Sequence, residues 1–76
     1  MNYDEDKIDE VVLALMYLTL HNGVRAWKGF DFAVLDRLCE KGLICDPKNR
    51  TKSVVLTEEG LARSRALFEQ YFGRRG

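Results

Sequence analysis

The sequence lacks the features by which membrane and exported proteins are recognised. Its longest uninterrupted apolar run covers only residues 11–18, whereas a helix that crosses a bilayer needs about 20 apolar residues. No signal peptide is recognisable either. Net charge is zero, with 12 basic and 12 acidic residues among 76. The sequence therefore predicts a single domain over residues 1–76 that resides in the cytoplasm, without contact to a membrane.

Recognisable catalytic and metal-binding motifs are also missing. Structural zinc usually takes four ligands in close pairs, but the chain has two cysteines, Cys39 and Cys45, and no C-x-x-C pair. There is no glycine-rich phosphate loop and no motif that marks a nucleophile. Paired acids such as Glu58 and Glu59 lie at a predicted helix start, where the helix dipole accounts for them. We therefore expect no metal, no cofactor, no small-molecule substrate and no enzymatic activity.

The charge is unevenly divided along the chain. Residues 1–24 carry five acids and one base, a net charge of −4, whereas residues 25–76 carry eleven bases and seven acids, a net charge of +4. Acids near a helix start are stabilised by the helix dipole. A mildly basic remainder also fits an anionic partner. The sequence leaves both interpretations open.

The first predicted element is a helix that begins near Asp4. From residue 11 onward this helix is apolar nearly all round, so it must be covered on more than one face, by the chain's own core or by a second copy. Gly23 is predicted to be its left-handed C′ residue. Residues 24–30 fit either a short strand around Arg25–Trp27 or a cramped helix.

The second half of the chain predicts a helix, a β-hairpin and a final helix. Asp31 is predicted to cap a helix over residues 32–41, which a Schellman motif at Gly42 ends. Residues 43–45 and 53–56 alternate with a turn at residues 46–50, which predicts the hairpin. Thr57 is the predicted N-cap of the last helix. The inward side of the 32–41 helix is predicted to consist of Phe32, Leu35, Leu38 and Cys39.

Two phrases in this region resemble winged-helix proteins of the MarR-like and PadR-like kinds. They are L-x-x-L-x-x-K-G-L-I, from Leu35 to Ile44, and V-V-L-T-E-E-G-L, from Val54 to Leu61. The resemblance implies an α+β, winged-helix-like fold with three main helices and a small antiparallel β-hairpin. Residues 32–41 would then be the recognition helix and residues 46–52 the tip of the wing. The whole chain, with its R-A-W-K-G-F and K-G-L-I segments, also resembles a small, uncharacterised family of bacterial domains.

The winged-helix resemblance implies binding to duplex DNA in transcription regulation. Cations on the hairpin and on the recognition helix would contact phosphates. These residues are Lys48, Arg50, Lys52, Arg37 and Lys41. The basic turn equally fits a solvated hairpin whose charges oppose aggregation. The exposed side of the 32–41 helix offers three acids and two bases, which is a poor composition for a groove lined by phosphates.

The apolar stripes of the first and last helices indicate a homodimer seam. Terminal helices pack into dimers in many winged-helix regulators, which the resemblance extends to this chain. The residues predicted at the seam are Leu13, Tyr17, Leu67, Phe68, Tyr71 and Phe72. In a monomer the two helices would instead cover each other. The alternative function is therefore a protein-interaction or dimerisation module on a winged-helix scaffold without DNA-binding activity.

Overall fold

The structure, a computed structural model, describes residues 3–21, 23–27, 29–45 and 53–74, with backbone only at Trp27. These residues form three helices and one small antiparallel sheet, which confirms the predicted α+β class. The elements in chain order are α1 (Glu5–Leu18), β1 (Arg25–Trp27), α2 (Phe32–Glu40), β2 (Ile44–Cys45), β3 (Ser53–Leu56) and α3 (Glu58–Phe72). The predicted turn at 46–50 and wing tip at 46–52 lie outside the described residues.

Helix α1 begins as predicted but ends earlier. The Asp4 carboxylate accepts a hydrogen bond from the backbone N–H of Lys7 at 3.1 Å and so caps the helix. The prediction that Gly23 is the C′ residue is wrong, because α1 ends at Leu18. Gly23, with φ of 86°, lies instead in the turn that joins His21 to β1. A positive φ is needed in both places, so the glycine alone did not mark which one it occupies.

The Schellman motif at the end of α2 is confirmed. Gly42 adopts a φ of 74°. Its N–H donates to the Cys39 carbonyl at 3.0 Å, and the Leu43 N–H donates to the Leu38 carbonyl at 3.0 Å. These two bonds close the last turn of the helix and send the chain into β2. Asp31 occupies the N-cap position, although its side chain makes no capping hydrogen bond.

The predicted inward face of α2 needs one correction. The buried stripe consists of Val34, Leu35 and Leu38. Phe32, predicted to face inward, is 56% exposed. A nine-residue helix buries one narrow stripe, and Phe32 at its first position lies beside that stripe rather than on it. Cys39 is half-buried at its edge.

The sheet has the strand order β1-β3-β2. Strand β3 is central and pairs antiparallel with both neighbours, Arg25 opposite Val55 and Ile44 opposite Leu56. Residues 25–27 are therefore a strand, which decides the alternative left open for that segment. The sheet contributes Ala26, Ile44, Val54 and Leu56 to the buried core, which α1, α2 and α3 complete.

The junction between β3 and α3 is fixed by Thr57. Its Oγ1 accepts a hydrogen bond from the Gly60 N–H at 3.0 Å, as predicted for the N-cap, and donates to the Gly42 carbonyl at 2.7 Å. The Thr57 N–H donates to the Leu43 carbonyl at 3.0 Å. One residue thus starts α3 and holds it against the end of α2.

Candidate functional site

The main polar feature of the described residues is an ion-pair cluster between α1 and α2. We call Glu5, Asp6, Asp9, Arg37 and Lys41 the α1–α2 cluster. Asp9 lies at its centre, with a side chain only 1% exposed. The Arg37 guanidinium donates to both Asp9 carboxylate oxygens at 2.8–3.0 Å, and Lys41 Nζ donates to Asp9 Oδ2 at 2.9 Å. A buried carboxylate is thus satisfied by two cations at once.

The outer members of the α1–α2 cluster lie at the surface. Arg37 Nη1 is 3.2 Å from Glu5 Oε2, and Lys41 Nζ is 3.2 Å from Asp6 Oδ1. The side chains of Glu5 and Asp6 are 68% and 88% exposed, so water screens both contacts and each stabilises weakly. The stabilisation therefore resides mainly in the contacts to Asp9.

The charges of the α1–α2 cluster are mutually stabilised. Burial on its own raises the pKa of Asp9, but hydrogen bonds from Arg37 and Lys41 outweigh it and hold the pKa below its ordinary value of 3.8. The hydrogen bond to Asp9 raises the pKa of both cations. All three groups are therefore charged at neutral pH. With Glu5 and Asp6 included, three carboxylates face two cations, so the cluster carries a net charge of −1.

The α1–α2 cluster contains two of the five residues predicted to contact nucleic acid. Arg37 and Lys41 lie together, but each is bound to carboxylates of α1. Lys48, Arg50 and Lys52 lie outside the described residues. The sequence analysis did not predict the cluster, although a signal existed. Glu5 and Asp9 are four residues apart, as are Arg37 and Lys41, so each like-charged pair lies on one helix face and the two faces are complementary.

The predicted dimer seam is divided by the fold. Leu13 and Leu67 are 1% and 8% exposed and belong to the chain's own core. The remaining four residues, Tyr17, Phe68, Tyr71 and Phe72, form a continuous group that we call the aromatic edge. The ring centroids of Tyr17 and Phe68 are 5.4 Å apart, those of Phe68 and Phe72 5.4 Å, and those of Tyr71 and Phe72 6.3 Å.

The aromatic edge is anchored on one side and open on the other. The Tyr71 hydroxyl donates to Glu10 Oε2 at 2.8 Å, and Lys7 Nζ lies 5.7 Å from the centre of the Tyr71 ring. The hydrogen bond to Glu10 raises the pKa of Tyr71. Phe72 is 48% exposed, whereas Tyr17, Phe68 and Tyr71 are half-buried. The edge therefore offers ordered apolar surface to the outside.

A groove of about 340 Å³ opens between α1, the end of α2 and α3. Its floor is apolar, formed by Leu13, Leu38, Leu43 and Leu67. Its charged lining consists of Asp6, Asp9, Glu10, Lys41, Glu59 and Arg63. Lys41 is already bound to Asp6 and Asp9, and the lining includes no histidine, cysteine or serine that could serve as a nucleophile.

Two further searches cover the part of the chain that the structure describes. Within it, no three or more His, Cys, Asp or Glu side chains are grouped so that they could hold a metal ion. None of its helices combines the length and apolar character that crossing a bilayer requires. Both cysteines are free, with Cys45 exposed on β2.

The comparisons with known proteins give a family. A family model described as "Domain of unknown function (DUF6429)" matches residues 4–74. The chain is 65% identical over 74 residues to "Uncharacterized protein y4hR" of Sinorhizobium fredii (strain NBRC 101917 / NGR234), which covers 97% of this chain and 100% of that protein. No solved structure matches the chain significantly. The resemblance to a small family of bacterial domains is thereby confirmed, and the chain belongs to the DUF6429 family.

Proposed function

We propose that this domain is a non-catalytic protein-interaction module that associates with a second copy of itself, on a winged-helix-like scaffold. The observation that carries the proposal is the aromatic edge, an ordered group of aromatic rings that remains open to the outside. Contiguous apolar surface of this kind, bordered by charged residues, is typical of interfaces between proteins.

The charges around α2 support an interaction with protein rather than DNA through that helix. A helix that enters a DNA groove brings unpaired cations to the phosphates. In this chain both cations of α2 already face carboxylates of α1, and Glu40 is exposed nearby. Docking α2 against DNA would bring Glu5 and Asp6 close to the phosphates as well. That repulsion disfavours the approach.

The order of elements supports the winged-helix-like part of the proposal. Strand β1 precedes α2, and β2 and β3 follow it as an antiparallel pair, with β3 in the centre of the sheet. A helix leads directly from β3, through the Thr57 cap. This is the arrangement that the resemblance implies, without an additional helix between β1 and α2.

The oligomeric state of the pure protein tests the proposal. Sedimentation velocity over about 5 to 500 μM should show the average mass rising from 8.8 kDa towards twice that value, as expected for micromolar dissociation. Phe72→Ser should weaken the association about tenfold, because it removes an exposed aromatic contact. Phe32→Ser is the matched control, since Phe32 is similarly exposed but lies on α2. A constant monomer mass at every concentration would refute the proposal.

A second candidate function is binding of duplex DNA through the segment between β2 and β3. The observation in its favour is that these two strands pair antiparallel, so residues 46–52 link them as a wing would. That segment carries three cations, Lys48, Arg50 and Lys52, and one acid. Cations in such a link can lie along a phosphate backbone without any contact from α2.

Salt dependence of DNA binding tests this second candidate. Fluorescence anisotropy with a mixed-sequence duplex should show affinity that falls steeply between about 50 and 200 mM salt. Replacing Lys48, Arg50 and Lys52 together by glutamine should reduce the salt slope by about 3. A variant with Arg65→Gln and Arg74→Gln controls for lost charge elsewhere. Absence of binding at the lower salt concentration would eliminate this candidate.

A further inference from the structure

Helix α3 has a long exposed face that packs against nothing in the described chain. Its buried side carries Gly60, Ser64 and Leu67. The opposite side recurs at the three- and four-residue spacing of one helical stripe. We call this stripe the α3 outer face, and it consists of the exposed residues Glu59, Ala62, Arg63, Ala66, Glu69 and Gln70.

The charges on the α3 outer face alternate in sign along the helix. Glu59, Arg63 and Glu69 follow one another, and Arg74 comes immediately after the helix. Read in the opposite direction, the same series has the opposite signs. Two copies placed antiparallel therefore bring unlike charges together at each crossing, whereas two parallel copies bring like charges together. The face is complementary to itself in one orientation only.

The position of the crossing follows from the numbering. With Ala66 at the centre, Arg63 faces Glu69 of the second copy, because each lies three residues from the centre. Glu59 lies seven residues before the centre, so it faces Gly73 and the adjacent Arg74 of the second copy. Ala62 and Ala66 are small, which allows the two backbones to approach closely.

These charges are available for such contacts. Within the described part of the chain, Glu59, Arg63 and Arg74 make no ion pair. Glu69 contacts only Arg65 on its own helix, at 3.4 Å between two side chains that are 66% and 69% exposed. An exposed pair of this kind is weak, so it does not compete with a partner.

We propose that the partner of this domain is a second copy bound through an antiparallel α3–α3 contact, with a twofold axis close to Ala66. This inference rests on the proposed function and specifies its partner and orientation. Phe72 is three residues after Glu69 and borders the α3 outer face. The same contact therefore also covers the open part of the aromatic edge. Each pairing occurs twice, as a twofold interface requires.

Charge reversal with mixing tests the pairing. In a variant Arg63→Glu the acids at positions 63 and 69 face each other twice, and in a variant Glu69→Arg the bases do. Each variant alone should dimerise about tenfold more weakly than the natural chain. An equimolar mixture of the two should regain dimerisation, because every crossing then joins unlike charges. Glu40→Arg, an exposed reversal on α2, should change nothing.

Cross-linking tests the orientation. In a background with Cys39→Ala and Cys45→Ser, the variant Ala66→Cys should form a disulfide-linked dimer on mild oxidation, because the two thiols meet at the axis. The variant Ala62→Cys should not link to itself but should link to the variant Gln70→Cys, since these positions lie four residues either side of the centre. A parallel pair predicts the reverse for Ala62→Cys.

The outcomes separate this inference from the proposed function. A dimer that persists without cross-linking at position 66 and without response to charge reversal would overturn the antiparallel α3 contact while leaving self-association standing. A monomer at all concentrations would overturn self-association itself, and the α3 contact with it. Weakened variants that recover on mixing support both.

Discussion

Asp9 holds α1 and α2 together although a carboxylate is costly to bury. Its desolvation is offset because Arg37 and Lys41 approach it from α2 with four hydrogen bonds. The two cations remain partly exposed, with side chains 24% and 39% accessible. The arrangement therefore tolerates the cations alone better than it tolerates the carboxylate alone.

Replacing Asp9 should destabilise the fold far more than replacing its neighbour. We expect Asp9→Ala to lower the free energy of unfolding by about 2–4 kcal/mol, because it leaves a cavity and two cations without their buried partner. Asp6→Ala, which removes an exposed contact to the same lysine, should cost about 0.5 kcal/mol or less. Urea unfolding at pH 7 measures both values. Equal losses would contradict the assigned role of Asp9.

The same residue predicts how stability depends on pH. The pKa of Asp9 is lower in the folded chain than its ordinary value of 3.8. The contribution of its charged form is therefore complete well above pH 4 and is lost as the pH falls through the folded pKa. Urea midpoints should decline below about pH 4, and the variant Asp9→Asn should show a smaller decline. An identical decline in both proteins would assign acid sensitivity to the other carboxylates, including Glu5 and Asp6.

At the scale of elements, the sequence was most informative where one local signal decides the structure. The left-handed Gly42, the cap at Thr57 and the apolar pattern of residues 53–56 each specify their position, and the structure confirms all three. Gly23 shows the limit, because a positive φ serves a helix end and a turn equally well. Phe32 shows another, since a short helix carries too few turns to define which edge of its apolar stripe is buried.

The α2–α3 junction predicts an unusual response to a glycine substitution. By helix propensity alone, Gly60→Ala should stabilise α3. In the structure, however, a Cβ at Gly60 would overlap the Leu43 carbonyl oxygen, which belongs to backbone. We therefore expect a loss of about 1–3 kcal/mol, measured by urea unfolding. The neighbouring exposed variant Glu59→Ala should stay within about 0.5 kcal/mol. Stabilisation by Gly60→Ala would show that the junction can open.

For the whole molecule, the fold uses part of the uneven charge distribution internally. The acidic first quarter of the chain lies against α2 and offsets two cations of the more basic remainder. The sequence showed the two charged regions but not their contact, because Asp9 and Arg37 are 28 residues apart. Local patterns give helix faces, whereas the pairing of faces depends on tertiary packing. The aromatic edge was predictable as a stripe for the same reason, but the burial of Leu13 and Leu67 was not.

Self-association should also be visible in the thermal stability of the protein. A domain of 76 residues buries a modest share of its surface, so its own core stabilises it marginally. If folding and pairing are coupled, a hundredfold rise in protein concentration favours the folded dimer by mass action and should raise the midpoint of thermal unfolding by about 5–10 °C. Calorimetry at low and high concentration measures this shift. The variant Arg63→Glu, with its pairing weakened, should shift by less over the same range, because less of its stability depends on a partner. An identical midpoint at both concentrations for the natural chain would mean that the monomer carries its full stability alone, and the α3 outer face would then lack the role assigned to it.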